Sequence, residues 1–470
     1  MGRSRRRSEA PGPVPVELLA DGKTADDVGN ADRLVELAAG TARWVDRWHT
    51  WVVYQAGRWC PDPKAVRVDE LAAGVSAGLI ELADTMAPGD DRKAVLEWAR
   101  ACRSKSAIRS MVELARGKVI TDHESFDARP LLLNVANGTV DLVTGELRPH
   151  DPNDLLTKMA PVDYDPDATC PLWEQCLERW HPEQSVRDFL QIAAGSAITG
   201  RHVELLIINV GAGANGKSKF YRACSDVLGP YYVTPHKSLL IERRFDEHQT
   251  VVATLFGARM VVAAETAEGD RLNEAQIKNL TGGDRLSARR MREDEWAFNP
   301  THTAFMHTNH RPRLRGDDDA IWRRVRLVEW RTVIPVDERD GDLSTKLARE
   351  ASGILRWLVD GAFVWLAQGL PEPVEVVEAT AGYRVDQDVV GRFLADVCVL
   401  GPGTRVTKRA LFDAYTEWTK AAGERAWTAK TFGQAVAARG FDETRGTGGV
   451  RSWAGVGLAH EEDGDADPFP

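Results

Sequence analysis

No apolar run in this 470-residue chain approaches the roughly 18 residues needed to cross a bilayer. The longest, such as Ala362 to Ala367, end after a turn or two, so no membrane-spanning helix is expected. Six cysteines stand at 60, 102, 170, 176, 224 and 398, and no two form a C-x-x-C pair. Neither a zinc ribbon nor a disulfide framework is therefore supported, and a cytoplasmic location is the expectation. No apolar stretch follows the arginines of MGRSRRRSEAPGP, so a signal peptide is not expected there. Lysine is scarce, at 14 of 60 basic residues, which reads as the imprint of a GC-rich genome.

What the chain has is an ordinary globular balance: 43% hydrophobic and 28% charged residues, enough for large packed cores. At about 150 residues per domain, about three domains are expected. The net charge of −10 argues against a protein that coats nucleic acid over its whole surface, but leaves room for a local basic site. Arg3, Arg5, Arg6 and Arg7 crowd one end, and Glu461, Glu462, Asp463, Asp465 and Asp467 the other.

The expected fold class is α/β: a core with a parallel sheet, preceded by a mainly helical α+β domain and followed by a unit whose order of helix, short strand, two helices and hairpin is a winged-helix pattern. Residues 1–35, rich in Gly and Pro, read as a basic disordered tail. Residues 36–185 form the first domain. Its stretch from Ala42 to Leu114 has mostly helical spacing, and two short strands follow near Leu131, with turns at Asn137-Gly138 and Thr144-Gly145. Residues 186–335 are the α/β core, with strands VELLIINV, ARMVVAAE and THTAFMHTN. Residues 336–385 are a helical extension and linker, 386–457 the winged-helix unit, and 458–470 an acidic tail. Thr428 is the expected N-cap of the helix AKTFGQAVAARG, with Phe432, Ala435 and Val436 facing its core.

Gly211-Ala-Gly213-Ala-Asn215-Gly216-Lys217-Ser218 fits G-x-x-x-x-G-K-[ST] and sits between an apolar strand and a helix. The glycines let backbone N–H groups turn inward toward phosphates, and the helix start adds its positive dipole end. Lys217 is expected to reach the β- and γ-phosphates, and the Ser218 hydroxyl to bind Mg²⁺. Glu265 ends the next long strand, where a carboxylate can hold Mg²⁺ indirectly or orient and deprotonate the attacking water. Asn309 ends the third, where a polar side chain can touch the γ-phosphate and the lytic water. Arg323 or Arg324 can stabilise charge on the transferred phosphoryl group, often from a neighbouring subunit.

Between Glu265 and Asn309, a Gly282-Gly283-Asp284 turn leads to Arg285, Arg289, Arg290 and Arg292. Arginines crowded on a turn and short ribbon suit contacts with a phosphate backbone. Lys430, Arg439, Arg445 and Arg451 can meet DNA from the C-terminal unit, although winged helices also serve as protein-contact modules.

The series GAGANGKS, MVVAAETAEG, IKNLTGGDRLSARRMRED, FMHTNHRP and DDDAIWRRV resembles the superfamily 3 helicases, and more narrowly the phage and plasmid primase–helicases related to poxvirus-type nucleoside triphosphatases. The stretch from NVANGTVDL to ATCPLW resembles the domain that precedes the ATPase in that group, so the likeness covers roughly residues 40 to 455. It implies an AAA+-like P-loop NTPase core and an ATP- and Mg²⁺-dependent, ring-forming motor, a homo-hexamer moving 3′→5′ on single-stranded DNA at a phage, prophage or plasmid origin in a bacterial host. It also implies that Lys217 and Ser218 are the Walker A pair, Glu265 the Walker B acid, Asn309 the sensor, and Arg323 or Arg324 the finger. Lys278 and Asp284 belong to the family's additional motif, which the resemblance implies faces DNA together with Arg285, Arg289, Arg290 and Arg292. No primase domain is expected, since no apolar strand upstream ends in a D-x-D pair, so a separate primase would be a partner. Two other readings stand beside this one: an ATP-binding origin-recognition or loading protein that does not unwind, and a small-molecule P-loop kinase, for which no acceptor pocket is evident.

Overall fold

The computed structural model describes residues 18–242, 248–264, 269–289, 295–314, 318–424, 426–445 and 449–459. Five parallel strands form its centre: β1 (Leu206–Val210), β2 (Tyr232–Val233), β3 (Met260–Ala264), β4 (Thr303–Thr308) and β5 (Val325–Glu329). Their order is β5-β1-β4-β3-β2. The register sets Phe305 of β4 beside Ile207 of β1 and Val262 of β3, and Leu327 of β5 beside Ile208. Side chains alternate across the pleat, so each strand feeds two cores. Ile207, Val262, Phe305 and Val328 face one core, shared with helices Pro171–Trp180, Gln184–Ile198, α1 (Lys217–Leu228) and Ala351–Gln368. Leu206, Ile208, Val261, Met306 and Leu327 face the other, shared with helix Glu274–Leu280 and with Tyr383 of helix Val374–Gln387. Burial on both faces explains why these strands read as unbroken apolar runs. β2 and β5 were not anticipated from the sequence. β2 has only two residues, and β5 (VRLVE) interleaves charge with its apolar positions.

The N-terminal region departs from expectation twice. Asp27–Ala38 is a helix within the stretch expected to lack structure; it buries Ala31, Leu34 and Ala38 and ties Arg33 to Asp21 at 2.7 Å. Residues 42–62, expected to be helical, are instead an antiparallel meander of Ala42–Val45, Thr50–Gln55 and Arg58–Asp62. The local reason is conformational. Ala39 and Gly40 adopt left-handed φ and end the preceding helix, His49 does so before the second strand, and Ala56-Gly57, both left-handed, make the two-residue hairpin turn. The Trp- and Val-rich segments between them suit a pleated surface better than a helix. Helices Val66–Thr85, Asp90–Ala101 and Lys105–Ala115 then follow as the spacing predicts. The next sheet has three strands, Leu132–Val135, Gly138–Asp141 and Leu147–Arg148.

Toward the C-terminus the order is helix Val389–Val397, strand Cys398–Thr407, helices Lys408–Ala421 and Ala429–Ala438, and a hairpin of Asp442–Arg445 with Arg451–Leu458. Phe432, Ala435 and Val436 are buried, and the Thr428 hydroxyl accepts from the Thr431 amide at 3.2 Å, so this helix has the expected core face and N-cap. Among the described residues no helix is long and apolar enough to cross a membrane, and all six cysteines are free.

Candidate functional site

The strand order creates a crevice at the carboxyl edge of the sheet. From β1 the chain travels through α1 to β2 at one edge; from β4 it crosses to β5 on the other side of β1. Adjacent strands β1 and β4 therefore send their connections in opposite directions, the arrangement that opens a ligand crevice. The glycine loop leaves β1 there, and Asn309 leaves β4 beside it.

Gly213 (φ 100°), Ala214 (φ 52°) and Gly216 (φ 93°) are all left-handed. That conformation costs an L-residue roughly 1–2 kcal/mol, which glycine avoids. Gly216 also lies against the Trp180 indole, so closely that an added Cβ would overlap the ring. The rest of the loop is braced from β5. The Asn215 side-chain amide donates to the Trp330 carbonyl at 3.1 Å. The Trp330 indole donates to Asn209 Oδ1 at 2.7 Å, and Asn209 Nδ2 donates to the Tyr221 hydroxyl at 2.6 Å. The Ile334 amide reaches the Ala214 carbonyl at 2.8 Å, and the Gly211 amide reaches the Thr308 carbonyl at 3.3 Å.

Lys217 opens α1 and is 3% exposed. Its ammonium donates to the Gly211 carbonyl at 2.6 Å and to Asn215 Oδ1 at 3.1 Å. No carboxylate among the described residues pairs with it. Burial pushes its pKa down to about 8. A buried cation with only neutral acceptors is electrostatically incomplete, and an arriving anion would relieve it. The N-terminal dipole of α1 adds to the same pull. Ser218 is exposed one residue later.

Two hollows flank the loop. One, about 730 Å³, is lined by Gly211, Ala212, Asn309, Arg311 and Arg331. The other, about 370 Å³, is more apolar and is lined by Leu172, Cys176, Trp180, Ala214, Gly216 and Ile334. β3 ends at Ala264; Glu265 lies outside the described residues, as do Arg290 and Arg292.

The two candidate finger arginines differ. Asp318 caps the short helix Asp319–Trp322 by accepting from the Ala320 amide at 2.9 Å. Arg323 follows with an exposed side chain, whereas Arg324 is half-buried and donates to the Ala320 carbonyl at 2.9 Å. Asp318 also holds Lys278 in an ion pair. Burial works against the Asp318 carboxylate, but the Lys278 hydrogen bond and the Ala320 amide outweigh it and hold its pKa below the usual range. Lys278, read from the family motif as DNA-facing, thus joins helix Glu274–Leu280 to the helix that carries the arginines.

The arginine-rich segment forms an antiparallel ribbon, Leu286–Ala288 with Trp296–Phe298. Asp284 and Arg285 are exposed just before its first strand, and Arg289 just after it. Arg285 donates to the Ala297 carbonyl at 2.8 Å and pairs with Glu124 of the N-terminal region. The ribbon's other face is anchored: Trp296 stacks edge-on against Phe256 at 5.1 Å and His123 at 6.0 Å. Lys430 and Arg445 are exposed on the C-terminal unit. Arg439 pairs with Asp388 at 2.5 Å and Arg451 with Glu443 at 3.6 Å.

Sequence reasoning missed Trp180, Asn209, Arg311 and Trp330. Asn209 left a signal, a polar residue inside an apolar strand, which has to find a buried partner. The others left none, because their roles depend on contacts between distant segments.

Residues 31–182 match the D5 N terminal like family, and residues 209–324 match a family of unknown function, DUF5906. Proteins named putative helicases in Acanthamoeba polyphaga mimivirus and Frog virus 3 are 26% and 24% identical to this chain, over 63% and 60% of its length. These matches cover 34% and 31% of those proteins, so the chain spans about a third of the length of the curated relatives it matches. A solved structure of the NrS-1 C-terminal region aligns with a TM-score of 0.49 at 10% identity, over 91% of this chain and 100% of that one. Residues 31–182 thus carry a D5 N terminal like domain, and the relatives the chain resembles are named putative helicases or primases of large DNA viruses.

Proposed function

We propose that this chain is the ATP-hydrolysing part of a superfamily 3 DNA helicase that replicates phage, prophage or plasmid DNA. In this reading the core is an AAA+-like P-loop domain and the C-terminal unit a winged helix. The observation that carries it is Lys217: a buried ammonium at a helix start, inside a glycine loop, with neutral oxygens as its partners. A triphosphate laid along the loop supplies the missing negative charge. The two hollows give the nucleotide a direction, with the base in the apolar slot beside Trp180 and the γ-phosphate in the crevice beside Asn309.

The chain's own groups then divide the work. Lys217 and the α1 dipole spread charge from the β- and γ-phosphates. Asn309 positions the attacking water. Arg323, exposed and without the backbone tether of Arg324, is presented to the site of the neighbouring protomer in a hexamer. Ser218 and Glu265 would hold Mg²⁺, which offsets charge on the phosphate oxygens. The exposed arginines of the ribbon grip the backbone of single-stranded DNA, with Lys430 and Arg445 available for origin duplex.

The test is nucleotide binding and hydrolysis by the intact chain, with and without single-stranded DNA. Lys217→Ala should abolish hydrolysis, and DNA should accelerate the wild type. A wild type that binds ATP but never hydrolyses it would favour the loading-protein reading instead.

A further inference from the structure

The crevice beside the glycine loop contains an arginine that the site as described does not use. Arg311 lies two residues past Asn309, and it lines the same hollow as Gly211 and Ala212. Its guanidinium is spread between two carboxylates. One is Glu329, at the carboxyl end of β5, at 2.5 Å; the other is Asp386, in the last turn of helix Val374–Gln387. That helix grips the whole sensor side of the site. The Tyr383 hydroxyl donates to the Pro312 carbonyl, Gln387 Oε1 accepts from the Leu314 amide at 2.9 Å, and Arg384 pairs with Asp319 of the arginine-bearing helix. The next residue, Asp388, caps the first helix of the C-terminal unit at the Gly391 amide (2.8 Å) and holds Arg439.

We propose that Arg311 reads the γ-phosphate and reports it to the C-terminal unit through Asp386. Resting on the nucleotide reading of the glycine loop, this goes further by naming a switch between triphosphate and diphosphate states. A γ-phosphate offers the Arg311 fork a doubly charged partner with paired oxygens, which competes well with two separate carboxylates. The exchange leaves no buried charge stranded. Glu329 keeps Arg331, bonded at 2.6 Å and 2.8 Å, and Asp386 is 56% exposed and passes to water. Releasing Asp386 loosens the last turn of helix Val374–Gln387 where it joins the C-terminal unit. A diphosphate has no group at that position, so Arg311 stays on Asp386.

The experiment compares MgATPγS and MgADP affinity in the full chain, together with hydrogen–deuterium exchange of residues 380–388. Asp386→Asn removes in advance one of the two carboxylates that hold Arg311 and should tighten ATPγS by about 2- to 5-fold, the size of an exposed ion pair, with ADP unchanged. Arg311→Ala should weaken ATPγS by about tenfold or more, as the loss of a charge-assisted hydrogen bond implies, again with ADP unchanged. Arg311→Lys should recover part of that loss. ATPγS should speed exchange at 380–388 in the wild type and not in Arg311→Ala. Equal effects on both nucleotides, or exchange that ignores ATPγS while the wild type binds it, would overturn the switch and leave the nucleotide site standing. A wild type that binds neither nucleotide would overturn the site itself.

Discussion

Gly216→Ala puts a single methyl group where the loop has least room for one. Two costs combine. The residue sits at φ 93°, which penalises alanine by roughly 1–2 kcal/mol. The added Cβ also runs into the Trp180 indole, which cannot move aside: Trp180 is 1% exposed and packs against Trp173 at 5.9 Å and Trp330 at 6.0 Å. Overpacking of this kind costs about 1–3 kcal/mol, for a total of about 2–5 kcal/mol. Gly213→Ala is the matched control. Its φ is 100°, yet no described residue lies within 4 Å of its Cβ, so it carries the conformational cost alone, roughly 1–2 kcal/mol. Thermal unfolding followed by tryptophan fluorescence reads the difference, at about 2–4 °C per kcal/mol for a domain of this size. Gly216→Ala should melt several degrees below Gly213→Ala, and Trp180→Leu in the same chain should return part of the loss. Equal melting temperatures for the two alanine variants would refute the Trp180 contact and the loop geometry drawn from it.

Lys217 predicts a pH dependence. Its free-site pKa is near 8, against an ordinary 10.5, and a bound anion raises it, so MgATP affinity should be flat below pH 8 and fall by up to tenfold per unit above it. Stability of the nucleotide-free protein runs the other way: between about 8 and 10.5 the unfolded chain binds the extra proton, so stability rises with pH. A flat affinity from pH 7 to 10 would contradict the assignment. Asn309→Ala should keep ATP affinity while slowing hydrolysis about 10²-fold or more, which single-turnover assays would separate. Arg323→Ala should lose about 10³-fold or more in turnover, and mixing it with Lys217→Ala subunits should restore activity if Arg323 acts across an interface. No recovery on mixing would remove that role. Asp318→Ala frees Lys278 and uncaps the helix before Arg323, and should cost about 1 kcal/mol of stability by urea denaturation.

The parts of the fold that were legible were those where local chemistry and tertiary demand agree. β1, β3 and β4 announce themselves as apolar runs because both faces are covered, and Thr428 as an N-cap because its hydroxyl has a definite amide to satisfy. Residues 42–62 misled because their apolar spacing is compatible with a helix, while the turns that make them strands depend on left-handed His49 and Ala56, residues that do not advertise that conformation. The glycine loop was legible as a motif, but what holds it was not. Trp180 and Trp330 come from segments 36 and 114 residues away from Gly216, and no spacing rule links them. The pairing of Lys278 with Asp318 likewise joins residues 40 apart, and no spacing rule announces it.

The account turns on whether the pocket that buries Lys217 cleaves nucleoside triphosphate in step with DNA. Phosphate release from MgATP, measured for the wild type and for Lys217→Ala with and without single-stranded DNA, addresses this directly. Hydrolysis that DNA accelerates in the wild type and that vanishes in Lys217→Ala is the predicted result. No hydrolysis by the wild type, or hydrolysis that survives loss of the lysine or ignores DNA, would contradict it.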